Sequence, residues 1–330
     1  MSYESENILD KNARLIHVLS VIKLLNYKSI RFDLKKSGRR RSYVWIDNDD
    51  YKSWVGVELH VYQVDGKIIV NTRSSASRSY WDLAHQNNTI KTLRDLFGGY
   101  FRTDAGKNRY WRPDEPPPSP MSSGCYLARW RFNNSIMKSN IYLMNRHLKG
   151  GISLDRSSGF YLFDEINPRI ISNNLIIPFV IGVWEEYFRA TFSAVLRYAD
   201  KREIVLKKAR LSHSQLEQIA SERRPLEDAI ADCFSFQRPS NISENFKMID
   251  PKLNLAGVLR KPFRGRKINL YDSIEYLVEN RNFIVHSGEL DISLFDRKLK
   301  NEINDVIVAV DRVYLALGNH FNFVPISGAW

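Results

Sequence analysis

Tyr271-Asp-Ser-Ile-Glu-Tyr-Leu-Val-Glu-Asn-Arg281-Asn-Phe-Ile-Val-His286-Ser-Gly288 is the stretch on which the reading of the fold turns. With Leu270, its apolar residues Ile274, Leu277, Val278 and Val285 recur at helical spacing, and Gly288 supplies a stop, so the pattern predicts one helix. At about 100° per residue, Glu275, Glu279, Asn282 and His286 form a polar flank, while Arg281 falls near the middle of the apolar arc. A guanidinium cannot shed its charge, so on a buried face it needs a carboxylate, an interface or a phosphate to meet it.

Outward from this stretch the pattern stays helical. Downstream, Leu299, Ile303, Val306, Ile307, Val310, Val313, Tyr314 and Leu317 predict a long terminal helix that ends at Gly318. Upstream, Ile176, Val180, Val183, Trp184, Tyr187, Phe188, Thr191 and Val195 predict a helix from about Ser172, with Asn173 or Asn174 as its cap and Pro178 near its start. Ser212-His-Ser-Gln215 has the capping-box pattern of a further helix, and another is read between Arg223 and Phe234. Residues 161–330 are therefore expected to form an all-α bundle.

Before about residue 160 the pattern is α+β. Leu9–Leu25 is amphipathic, Lys35–Arg41 reads as a polar loop, and Tyr43–Ile46 as a strand. Val57–Val64 and Lys67–Val70 flank Asp65-Gly66 in the pattern of a β-hairpin. A short helix at Thr89–Phe97 then leads into Gly98-Gly99-Tyr-Phe-Arg102-Thr-Asp-Ala-Gly106-Lys107-Asn-Arg109-Tyr110. Two readings of this loop stand. Its glycine amides with Arg102, Lys107 and Arg109 form a possible phosphate or nucleotide cradle, or the segment is a turn with ordinary surface charge; it has neither P-loop nor Rossmann spacing. The proline-rich run Arg112–Gly124 reads as an extended loop or linker, and Tyr126–Phe132 and Ile136–Leu148 as ordered sequence before a domain boundary near 150 to 165.

With 330 residues, 43% of them hydrophobic, the chain can bury a substantial core, and no apolar run approaches the roughly 20 residues that span a bilayer. The N-terminus lacks the basic-then-apolar pattern of a secretory signal, so a cytoplasmic protein without membrane contact is expected. Cys125 and Cys233 stand far apart, and His17, His60, His85, His147, His213 and His320 form no pair at ligand spacing, so neither a disulfide framework nor a metal site is read. The net charge of +12 favours acidic partners, nucleic acid first. The run Arg260, Lys261, Arg264, Arg266 and Lys267, just before the central helix, is the candidate RNA-binding patch, against the alternative of a solvated face.

Three further features carry a family resemblance. Trp184-Glu-Glu-Tyr-Phe-Arg189 lies on the first long helix, Phe236-Gln-Arg-Pro-Ser-Asn-Ile-Ser-Glu-Asn-Phe246 follows, and Arg281-Asn282-Phe-Ile-Val-His286 precedes a closing helix. Over about residues 165 to 322 this order resembles HEPN domains, most closely those of the RiboL-PSP type. The resemblance implies an antiparallel helical bundle that dimerises and, in active members, a metal-independent endoribonuclease that needs no cofactor. The family's Arg, adjacent polar residue and His map onto Arg281, Asn282 and His286. Family analogy also suggests a toxin or anti-phage effector gated by its N-terminal domain through a protein or nucleotide trigger. In a chain this rich in arginine the bare spacing is close to what chance supplies; the helical setting and the upstream segment carry the weight.

The expected chemistry follows. His286 serves as general base on an RNA 2′-hydroxyl or as acid on the leaving 5′-oxygen, and Arg281 stabilises charge on the phosphorus. Asn282 orients the imidazole or binds phosphate, and Glu186, or else Glu185, holds Arg281 when RNA is absent. The alternative is a HEPN-like module that binds RNA or protein without cutting.

Overall fold

The computed structural model describes residues 2–30, 41–47, 49–113, 116–148 and 157–326. Lys35–Arg40 of the expected polar loop, and Asp114 and Glu115 of the proline-rich run, lie outside the described residues. The chain divides into two compact units, one made of the chain up to Ser123 together with Ile326 and one spanning Gly124–Pro325, so the boundary expected near 160 falls inside the second unit.

The first unit is an antiparallel sheet with helices on one face. Its elements are β1 (Tyr3–Ile8), α1 (Leu15–Leu24), β2 (Lys28–Ile30), β3 (Arg41–Trp45), β4 (Val57–Val64), β5 (Lys67–Ser74), α2 (Tyr80–Phe97), β6 (Tyr100–Thr103) and β7 (Gly106–Lys107). The strand order is β2-β3-β4-β5-β1-β6-β7. The expected hairpin is β4–β5, with Val64 opposite Lys67, and both turn residues Asp65 and Gly66 take the left-handed backbone that a tight hairpin requires. Val57, Leu59, Val61, Ile68 and Val70 form the inner face, covered by Val18 and Ile22 of α1 and Leu93 of α2. Helix α2 starts nine residues before the expected Thr89, because Ser79 and Asp82 form a capping box.

Strand β1 is absent from the sequence reading, and its inward residues explain why. Ser5 and Asn7 are buried but polar, so no apolar alternation marks the strand. Ser5 Oγ lies 2.6 Å from Thr72 Oγ1, Asn7 donates to Val70 O, and Gln86 of α2 donates to both Thr72 Oγ1 and Tyr3 O. These bonds satisfy groups whose burial unpaired costs about 1 to 3 kcal/mol each.

The second unit is helical: α3 (Pro120–Leu148), α4 (Tyr161–Glu165), α5 (Pro168–Tyr198), α6 (Glu203–Lys208), α7 (His213–Ala220), α8 (Leu226–Ala231), α9 (Pro239–Ile249), α10 (Leu255–Arg260), α11 (Leu270–Ser287) and α12 (Asp296–His320). Helix α3 merges the two segments read separately around Tyr126 and Ile136, and it begins inside the proline-rich run, where Pro120 suits a first helical position. Helix α5 is the hub, with Trp184, Tyr187, Phe188 and Phe192 fully buried. Phe192 meets Phe236 at 5.3 Å and Phe246 at 5.4 Å between ring centroids, while Trp184 Nε1 donates to Gln237 O, which anchors the Phe236–Phe246 segment on the hub.

The start of α5 corrects the sequence reading. The cap is Asn167, whose side chain accepts from Arg169 N, and the helix is already running at Asn173 and Asn174. Those two are buried inside it and bond outward instead: Asn173 donates to Leu294 O and Asp296 Oδ1, and Asn174 both donates to Asp291 O and accepts from Asp291 N. Arg146 of α3 donates to Asn173 Oδ1 at 2.6 Å and to Ser172 Oγ at 2.8 Å, so one polar knot ties α3, α5 and the start of α12. No helix among the described residues is long and apolar enough to cross a membrane.

Candidate active site

Helix α11 forms as its sequence predicts. Asn269 caps its N-terminus by accepting from Asp272 N, and Gly288 closes it in the left-handed conformation at φ 72°. Leu270, Ile274, Leu277 and Val278 are buried, but the same stripe surfaces over the last two turns. Arg281, next on the stripe, is half-buried, and Val285 beyond it is 48% exposed. Phe283, on another face, is 58% exposed.

Arg281 Nη1 donates to Asn282 Oδ1 at 3.0 Å, and no carboxylate among the described residues lies within ion-pair distance of it. The expected partners are taken elsewhere. Glu185 and Glu186 flank Arg189 at 3.5 and 3.0 Å, one turn along their own helix, where the (i, i+4) and (i, i+3) spacings favour the pairing. Glu185 also accepts from Gln237 Nε2. Neither carboxylate therefore holds Arg281, which corrects the expected role of both.

His286 is exposed on the flank it was assigned. Upstream on that flank, Glu275 and Glu279 are met by Arg238 at 2.8 and 3.6 Å, and Ser240 also donates to Glu275. Arg238 escaped the sequence reading as a site residue, although it lies in the Phe236–Phe246 segment. Arg238 thus engages both carboxylates, and with Asn282 taken by Arg281, His286 is the end of the flank with no hydrogen-bond partner among the described residues. Within one chain Arg281 and Asn282 are joined and His286 stands apart from both.

The basic run does not lie beside this end. An 18-residue helix is about 27 Å long, and Arg260–Lys267 precedes its first turn whereas His286 sits in its last. Arg260, Lys261, Arg264, Arg266 and Lys267 are all exposed. They are partly organised around aromatic rings: Arg260 lies 4.1 Å over Tyr271, and Arg264, Arg266 and Arg312 surround the buried Phe263. Arg266 is committed to Asp305 at 2.9 Å.

In the first unit, the glycine loop is the β6–β7 hairpin. A side chain at Gly98 would collide with the Asp10 carboxylate and one at Gly99 with Ile8 O, so close chain approach accounts for both glycines, and neither is needed to cradle a phosphate. Arg102 and Lys107 pair across the hairpin with their cations 5.5 and 4.6 Å from the Tyr100 ring, and Arg109 O accepts from Thr103 Oγ1.

The described residues contain no group of three or more His, Cys, Asp or Glu placed to hold a metal ion. Comparison of the chain with family models, curated proteins and solved structures finds no match.

Proposed function

We propose that the second unit is a HEPN-like, metal-independent endoribonuclease whose site is completed by a second copy of the chain. The observation that carries this reading is Arg281: a permanent cation on the buried stripe of α11, half-covered, bonded only to the neutral Asn282 among the described residues. Among the described residues the guanidinium has no anion to meet it, and Val285 one turn on is 48% exposed and open to an apolar partner. RNA supplies the first and a symmetry-related helix the second.

The geometry also argues for two copies. Five residues apart on one helix, Arg281 and His286 diverge by about 140° and do not converge on one phosphate. Two α11 helices packed about a twofold axis bring the Arg281 of one towards the His286 of the other. In that cleft His286 takes the proton of the 2′-hydroxyl or protonates the leaving 5′-oxygen, and Arg281 stabilises the pentavalent phosphorus by about 3 to 4 kcal/mol, as single oxyanion donors do. The products are a 2′,3′-cyclic phosphate and a 5′-hydroxyl, and the 2′-hydroxyl requirement makes RNA the substrate.

The exposed basic loop at the far end of α11 favours a second reading, in which the unit binds RNA without cutting. The two separate on substitution. His286→Ala is expected to abolish cleavage of single-stranded RNA while leaving RNA binding and chain association unchanged. Binding without cleavage in the wild-type chain supports the binding module instead.

A further inference from the structure

The groove between α11 and α12 holds a cleft of about 580 Å³ that the proposed nuclease chemistry does not use. Most charges that line it are satisfied. Asp305 accepts from Arg266 Nη2 and, at 2.7 Å, from Ser273 Oγ; Lys298 Nζ donates to Asp291 at 2.7 Å and to Ser293 Oγ at 3.0 Å. Glu302 is one exception. Its Oε2 is buried and has no hydrogen-bond partner among the described residues, and burial pushes the carboxyl up to about 7 despite the nearby Lys298. A buried acceptor left without a donor is destabilising, and that cost is recovered when a ligand brings one.

Two further groups define that ligand. Tyr276, 46% exposed, presents its ring to the cleft with the Lys298 ammonium 5.6 Å from the ring centroid. Arg297 is exposed at the rim and has no carboxylate partner among the described residues. The requirements are thus N–H donors for Glu302, a planar face for Tyr276 and a negative group for Arg297. Nucleobases are read in this way, by hydrogen bonds to the pairing edge and by stacking.

We infer that this cleft binds a guanine nucleotide, with the guanine N1–H and N2–H groups on the Glu302 carboxylate, the base on Tyr276 and the phosphate towards Arg297. Guanine fits because it offers two adjacent N–H donors to one carboxylate. Adenine and cytosine place an acceptor beside a single amine, and uracil places one N–H between two acceptors. The site stands independently of Arg281 and His286. The basic residue Arg266 on its wall continues into the exposed run Arg260–Lys267, so the guanine belongs either to a free nucleotide or to a bound RNA strand.

Calorimetric titration of the full chain with GMP, AMP and CMP, and with short single-stranded RNAs containing or lacking a guanine, tests this. GMP is expected to bind at least tenfold tighter than AMP or CMP. Glu302→Gln is expected to abolish that preference, and Tyr276→Ala to weaken GMP and AMP alike by five- to tenfold. A guanine-containing RNA that binds more tightly than GMP assigns the site to RNA; GMP as tight or tighter assigns it to the free nucleotide. Equal binding of GMP and AMP, a preference that survives Glu302→Gln in a variant that unfolds no earlier than the wild type, or no binding of either guanine probe at millimolar concentration overturns the assignment.

Discussion

Arg281 carries a fixed charge, and the one hydrogen bond it makes among the described residues is to the Asn282 amide oxygen. Substituting it with Met, which keeps the stem and removes the cation, is expected to abolish RNA cleavage while leaving the unfolding free energy within about 1 kcal/mol of wild type, since Arg281 has no ion pair among the described residues to lose. Loss of stability by several kcal/mol would instead mark Arg281 as structural. Gly99 poses the opposite case. Its backbone is left-handed at φ 84°, and a methyl group there would strike Ile8 O, so Gly99→Ala is expected to destabilise the first unit by about 2 kcal/mol or more in chemical denaturation. A variant of wild-type stability that had lost ligand binding would restore the cradle reading of the loop.

At the scale of the element, the polar knot at the start of α5 is where sequence and structure part most usefully. Asn173→Ala would remove the donor to Leu294 O and Asp296 Oδ1 and the acceptor of Arg146. A cost of about 2 to 4 kcal/mol is expected from denaturant titration, since several buried groups lose partners together; a change below about 0.5 kcal/mol would show that the knot contributes nothing. Elements whose inward residues are apolar, such as α11, α12 and the β4–β5 hairpin, were legible from periodicity and turn residues. Strand β1, with Ser5 and Asn7 inward, and the first turns of α5 were not, because there polar side chains are buried against partners more than 60 residues away in sequence. The candidate site was half legible by the same logic. The placement of Arg281 and His286 followed from 100° per residue, whereas the competition of Arg189 for Glu185 and Glu186 and the pairing of Arg238 with Glu275 are tertiary facts. The basic run looked adjacent to the site because sequence distance along a helix hides about 1.5 Å of rise per residue.

For the whole molecule, the two units are expected to respond to pH in opposite directions. In the first, His85 stacks on Trp45 at 3.8 Å between ring centroids, and burial lowers its pKa from 6.5 to about 4. The folded unit therefore resists protonation, and the associated stability is present above pH 6.5 and lost as pH falls towards 4. In the second, burial raises Glu302 from 4.5 to about 7, so its contribution is complete below pH 4.5 and lost as pH rises through 7. Each shift corresponds to about 3 kcal/mol over its window. Glu302→Gln is accordingly expected to raise the unfolding midpoint of the helical unit at pH 8 and leave it nearly unchanged at pH 4.5, while His85→Phe protects the sheet unit at pH 5; calorimetric scans across pH check both.

In the proposed function, two copies of the chain build an RNA-cleaving cleft from Arg281 of one and His286 of the other. The direct measurement is complementation: Arg281→Ala and His286→Ala chains are assayed separately and after mixing, with a labelled single-stranded RNA and detection of 2′,3′-cyclic phosphate ends. In a dimer of the two variants, one of the two composite sites keeps both residues. Each variant alone is expected to be inactive and the mixture to recover up to about a quarter of wild-type activity, because half of the randomly formed dimers are mixed and each carries one intact site of two. No recovery in a mixture shown to contain mixed dimers, or undiminished cleavage by either variant alone, would contradict it.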